Sequence, residues 1–161
     1  MGEKVWPGDW VDANPYGNLY SLGYHTGADL NLNKPVWDSD REASVYSIAD
    51  GVVTAEGFFG VSWRNLVVIR HGDNQYSRYA HIHNIRVVVG QTVQRGEQIA
   101  TIGYSGPNGP YHLHFDISLT EILRTNPADW PGENLSRLHR DYVDPLEFIN
   151  THRPRLRLPA I

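Results

Sequence analysis

The 161-residue chain contains no cysteine, which excludes a disulfide scaffold, a thiol nucleophile and any thiolate metal site. Long apolar runs are also missing. The longest stretch of large aliphatics covers residues 66–69, far short of the ~18 that a membrane-spanning helix needs. No charged-then-apolar leader opens the chain, so the expectation is either a protein that is not exported or a mature or trimmed form. Nor is there a basic excess: 14 Lys and Arg stand against 18 Asp and Glu, a net charge of −4, which argues against a nucleic-acid partner. What is present suits one globular domain. Hydrophobic residues make up 40% of the chain, enough for a core, and the 20% that are charged are too few for a disordered chain. Eight histidines stand out. Without thiolates, any metal must be held by His, Asp or Glu.

Fifteen glycines and ten prolines indicate many turns and few long helices. Short β-rich runs recur at 45–48, 51–56, 66–70, 75–82, 85–89, 98–102 and 112–119, with turn signals such as Asp50-Gly51 and Val89-Gly90 between them. This spacing predicts an all-β antiparallel sandwich or barrel. Helix is expected only toward the C-terminus, at 146–150 behind Asp144-Pro145 and at 133–140. The first 20 residues, with Pro7, Gly8, Pro15, Gly17, two Trp and two Tyr, read as an irregular aromatic flank or lid. The tail 152–161 reads as frayed or wrapped over the surface.

Chemistry concentrates in three places. In a strand over 112–119, Leu113, Phe115, Ile117 and Leu119 share an apolar face, while His112, His114, Asp116 and Ser118 share the other. Two imidazoles so spaced lie roughly 6–7 Å apart and point the same way, so one can bind a metal while its neighbour handles protons. A solvated polar face that happens to contain two histidines is the bland reading. His25 and Asp29 could meet on a helix, but Gly23 and Gly27 disfavour one; a bend through Gly27 would bring them to one point instead. Combined with His114 they would make two imidazoles and one carboxylate, the donor set of a catalytic zinc with an open position. The third place is 75–83, where Tyr79, His81 and His83 would share a face. Spacing alone cannot rank this second His-x-His pair below the first, although the flanks favour His81 as functional and His83 as a rim residue. His71, His139 and His152 read as solvated or hydrogen-bonding, and the five tryptophans as core and lid packing. No P-loop, dinucleotide glycine pattern, Gly-x-Ser-x-Gly elbow or His-Glu-x-x-His helix occurs. A zinc hydrolase built from this chain must therefore use histidine as its general base.

Taken in order, His25-Thr26-Gly27-Ala28-Asp29, Tyr79-Ala80-His81-Ile82 and His112-Leu113-His114-Phe115 resemble the motifs of lysostaphin/LytM-type zinc endopeptidases. The connecting framework at 45–53, 65–72, 89–100 and 143–145 is similar too, so the likeness spans about residues 24–148. The turn segment 103–110, which borders the groove in that family, is proline-rich beside the usual Gly/Ser/Thr version. The resemblance implies a duplicated-hybrid-motif fold, with antiparallel sheets around a groove and a short C-terminal helix. It divides the chain into a flank (1–23), a peptidase domain (24–150) and a tail (151–161). It assigns His25, Asp29 and His114 as ligands of one Zn2+ per chain, and His81 and His112 as the catalytic pair, and so separates the two His-x-His candidates. His112 is then the general base, and His81 stabilises the oxyanion or protonates the leaving amine. Asp116 shares the face of His114 and could orient it, but reads as a plain surface carboxylate. The implied substrate is peptidoglycan peptide, cross-bridge or stem, cut by a monomer in the cell envelope or outside the cell. Two other readings are a non-catalytic relative that binds peptidoglycan or regulates another hydrolase, and a phosphocarrier domain with paired histidines. The first loses ligands that this chain keeps, and the second has no use for Asp29.

Overall fold

The run Leu66-Val67-Val68-Ile69 is fully buried on both sides, and that places it in the middle of a covered sheet. The structure is a computed structural model that describes residues 9–32, 34–72, 74–106 and 109–152. Along it run β1 (Val11–Asp12), β2 (Leu19–Tyr20), β3 (Gly23–Tyr24), β4 (Gly27–Asn31), β5 (Ser44–Tyr46), β6 (Gly51–Phe58), α1 (Gly60–Trp63), β7 (Asn65–Gly72), β8 (Gln75–Ala80), β9 (Ile82–His83), β10 (Thr92–Val93), β11 (Gln98–Ile102), β12 (Leu113–Ser118), α2 (Ile122–Thr125), α3 (Leu135–Asp141), β13 (Tyr142–Val143) and α4 (Pro145–His152). An eight-stranded sheet has the order β1-β4-β12-β8-β7-β6-β10, with β13 beside β12; β5-β11-β9 and β2-β3 form two smaller sheets. The pairings are antiparallel.

Side-chain alternation sorts the core into two layers. Val67, Ile69, Tyr79, Phe115 and Ile117 pack with Val45, Ile99 and Ile102 of the small sheet. Leu66, Val68, Tyr76 and Ala80 pack on the other side with Trp63, Leu123 and Leu138 of the short helices and Tyr142 of β13. The all-β antiparallel architecture with a short C-terminal helix is thus the fold the turn spacing predicts. No helix among the described residues is long and apolar enough to cross a membrane.

Local expectations fail in three places. Residues 85–89 form no strand: Val87 is buried in the core with Ile85 packed against it, Val88 and Val89 are exposed, and Gln91 closes the turn by accepting from Val88 N on Oε1 at 3.2 Å and donating its backbone N–H to Val88 O at 3.0 Å. The one-turn helices α1 and α2 were not expected, being too short for a periodic signal. Residues 27–31 are a strand rather than a bend. Residues 1–8 and 153–161, covered by the expectations for flank and tail, lie outside the described residues.

Gly27 explains why that strand can exist. It faces Asp116 across the β4–β12 pair. A Cβ there would stand 2.1 Å from the Phe115 carbonyl oxygen and 2.6 Å from the Asp116 Cβ. Gly27→Ala should therefore force the two strands apart and cost on the order of 3 kcal/mol, the upper range for overpacking a tight site. Thermal unfolding checks this; a midpoint equal to wild type would mean that the strands part freely.

Candidate active site

The site is assembled on β12, which lies between β4 and β8. In register, His114 stands opposite Asp29 of β4 and Ala80 of β8, while Asp116 stands opposite Gly27 and Arg78. His25 comes from the loop that leads into β4. His25 Nε2 lies 3.1 Å from Asp29 Oδ1 and 3.0 Å from His114 Nδ1, and His114 Nδ1 lies 3.0 Å from Asp29 Oδ1. Burial raises the Asp29 carboxyl pKa, but hydrogen bonds from His114 and His25 outweigh it and hold the group far below its usual range.

Two of the three ligand candidates are held by a partner behind them, whereas His25 Nδ1 is buried without one among the described residues. His114 Nε2 lies 3.0 Å from Asp116 Oδ2. Burial pushes Asp116 up, yet the Arg78 guanidinium and His114 bring it down to about 2, so it is a carboxylate and can only accept. The proton of His114 thus sits on Nε2, and Nδ1 faces the Asp29 oxygen. At 3.0 Å that contact is closed either by a second proton, on Nδ1, or by a metal cation between the two atoms. Asn14 Nδ2 donates to Asp29 Oδ2 at 3.2 Å, which leaves Oδ1 for the triangle. A four-coordinate zinc with bonds of about 2.0–2.1 Å sets its ligand atoms roughly 3.3 Å apart, so the three atoms fit such an ion with a small opening. The His25, Asp29 and His114 donor set suits zinc.

His112 and His81 stand beside this triangle. Their ring centroids are 4.7 Å apart, and His112 Nε2 is 3.7 Å from Asp29 Oδ1. Burial pushes both imidazoles below their ordinary value, with the neighbouring histidine adding to the shift at His81. His81 does not share a face with Tyr79 as alternation predicts: Tyr79 enters the sandwich core, while His81 lines the groove. The reason is its backbone, at φ +59°, a left-handed conformation that reverses the side-chain direction. His81 O accepts from Gly103 N at 2.7 Å, and a Cβ on Gly103 would come within 2.9 Å of that oxygen. Such strained residues persist only where their surroundings enforce them.

The groove encloses about 800 Å3, and the five histidine and aspartate side chains lie along its floor. Tyr20, Phe59, Trp63 and Trp130 line it as well. Trp63 and Trp130 meet at 5.5 Å, and Trp63 stands edge-on to His114 at 5.1 Å. The remaining four histidines lie apart: His83 against Tyr104, His71 bonded to Ser77 and the Asp50 carbonyl, His139 exposed on α3, and His152 stacked on Phe148.

In the protein-family comparison, Peptidase family M23 matches residues 23–127. The chain belongs to that family. Among curated M23-like relatives, it is 38% identical over 90 residues to peptidoglycan DD-endopeptidase ShyB of Vibrio cholerae, covering 54% of this chain and 19% of that protein. It is 30% identical over 132 residues to murein hydrolase activator EnvC of Escherichia coli, covering 81% and 29%. The chain thus spans less than a third of the length of either. Among solved structures, the antimicrobial peptidase lysostaphin from Staphylococcus simulans superposes with TM-score 0.66 at 20% identity, over 94% of this chain and 55% of that one. A zinc-containing peptidase from Vibrio cholerae gives TM-score 0.56 at 29% identity, over 70% and 35%. The lysostaphin/LytM-type resemblance read from the three motifs therefore holds for fold and family.

Two parts of this M23 site escaped the sequence reading. Asp116 is fully buried rather than a surface carboxylate, because Trp63 and residues 126–130 cover the polar face of β12. Arg78 was missed altogether. A single cation amid the strand Tyr76-Ser77-Arg78-Tyr79-Ala80 was the available signal, since a buried Arg needs a carboxylate partner.

Proposed function

We propose that this chain is a zinc-dependent endopeptidase that hydrolyses peptide bonds of bacterial cell-wall peptidoglycan, in cross-bridge or stem peptide, as a monomer in the cell envelope or outside the cell. One observation carries the reading: His25, Asp29 and His114 offer a closed triangle of donor atoms at the floor of an open groove, with two further imidazoles beside it. The sequence match to a DD-endopeptidase supports the substrate class. Zinc held there supplies a Lewis acid and a bound water acidified to near neutrality.

The chain's own groups do the rest. His112, kept neutral by burial, takes a proton at one ring nitrogen as general base. His81, whose ring lies 4.7 Å from that of His112 and 6.1 Å from that of His114, donates a ring N–H toward negative charge forming on the peptide oxygen, or passes a proton to the leaving amine. The aromatic walls hold the peptide backbone extended and exclude water from its flanks.

The similarity to a murein hydrolase activator motivates a second reading, a module that binds cell wall and stimulates another hydrolase. One experiment separates the two. The purified chain is assayed for bound zinc, and purified cell walls treated with it are analysed by mass. We expect one zinc per chain and new amine and carboxyl termini in the peptides, both lost with a chelator and restored by zinc. Zinc-free protein that leaves cell walls intact, yet stimulates a second hydrolase, would decide for the activator.

A further inference from the structure

Arg78 heads the fully buried side chains among the described residues in volume, and its donors are divided between two bodies. On one side Nε and Nη2 both meet Asp116, Nε at 3.2 Å, and Nη2 reaches Thr26 Oγ1 at 3.3 Å. Thr26 Oγ1 in turn donates to Asp116 Oδ2 at 2.7 Å. On the other side Nη1 donates to the carbonyl oxygens of Pro127 and Asp129, at 3.0 and 2.9 Å. The plane of the guanidinium lies against the Trp63 ring, 3.7 Å from its centroid. A buried ion pair adds little stability over apolar packing, so a guanidinium with every side engaged points to a geometric task. The two bodies it joins are both parts of the groove. Asp116 turns the His114 ring, and the segment that carries Pro127 and Asp129 leads into Trp130, whose ring stands 6.2 Å from His25 and 6.5 Å from His114.

We propose that Arg78 is a positioning residue that ties the aromatic wall of the groove to the His114 ring, so that metal affinity and peptide binding both depend on one buried cation. The inference rests on the zinc-peptidase reading above. A planar fork is required: a lysine ammonium can neutralise Asp116 but cannot also reach both carbonyls with fixed geometry. Removing the fork frees Asp116 to turn, which loosens His114, and leaves the wall at Trp130 held by Arg137, Tyr142 and the bond from Trp130 Nε1 to the Leu22 carbonyl.

The test uses the full chain carrying Arg78→Lys, Arg78→Gln or Asp116→Asn. Three quantities are read: the zinc dissociation constant of the chelator-stripped protein, by competition with a metal indicator; KM and kcat of the zinc-saturated protein; and the thermal midpoint. Arg78→Lys should fold, bind zinc about 10–100-fold more weakly, as loss of a partner behind a ligand does, and show a raised KM with a kcat close to wild type. Arg78→Gln should be weaker still, and Asp116→Asn should weaken zinc without raising KM. A purely structural Arg78 lowers the midpoint and leaves the zinc constant alone, and that result overturns the inference. Should neither Arg78 variant fold, Asp116→Asn decides: an unchanged zinc constant overturns it. A wild-type chain that takes up no zinc sinks the peptidase reading itself, whereas a zinc-binding wild type with indifferent variants sinks only this inference.

Discussion

His112→Ala abolishes turnover and leaves zinc in place: this is the sharpest expected result for the site. His112 stands beside the donor triangle rather than within it, since its Nε2 is 3.7 Å from Asp29 Oδ1 while the three triangle atoms lie 3.0–3.1 Å apart. Loss of a positioned general base costs about 10²–10⁴ in kcat. His81→Ala should fall in the same range, because its ring sits 4.7 Å from that of His112 and no other imidazole takes its position. Metal analysis beside a cell-wall digestion assay reads both quantities on one sample. Full cleavage by the His112 variant overturns the assignment. The acid side of the pH profile follows with its sign. Both imidazoles are held below their ordinary value by burial, so the neutral form survives to lower pH, and activity should fade only below the ordinary histidine pKa of about 6.5.

His114→Ala has the opposite signature. Here the metal leaves, and the activity with it. Two donors remain on β4 and the loop before it, and neither can close the triangle. The drop in zinc affinity should exceed the about 10–100-fold that loss of a hydrogen-bond partner behind a ligand costs. The protein itself should stay folded, because Asp116 keeps its bonds from Arg78 and Thr26. Zinc content after gel filtration and a thermal unfolding curve check both halves. A His114 variant that still carries one equivalent of zinc would place the ion elsewhere.

The fold was legible wherever a segment announced its own period. The β7 run Leu66–Ile69 is continuous because both faces are covered, and β12 alternates because Phe115 and Ile117 face the sandwich core. The clustering of His25, Asp29, His81, His112 and His114 was legible as three motifs in order. What could not be read depends on partners distant in the chain or on single torsions. Arg78 and Asp116 are 38 residues apart, and only the register of β8 against β12 makes them neighbours. The direction of His81 depends on one positive φ, which no hydrophobic pattern encodes. Asn14 belongs to a segment read as an irregular flank, yet its amide holds the second oxygen of Asp29.

The central place of β12 has a consequence for how the protein comes into being. Its neighbours β4 and β8 belong to segments synthesised earlier, and the sheet between them stays open until the strand near residue 116 arrives. A nascent chain carries His25 and Asp29 long before it can offer His114. The donor triangle therefore closes only when that strand joins β4 to β8, and a fragment ending before it lacks the third corner.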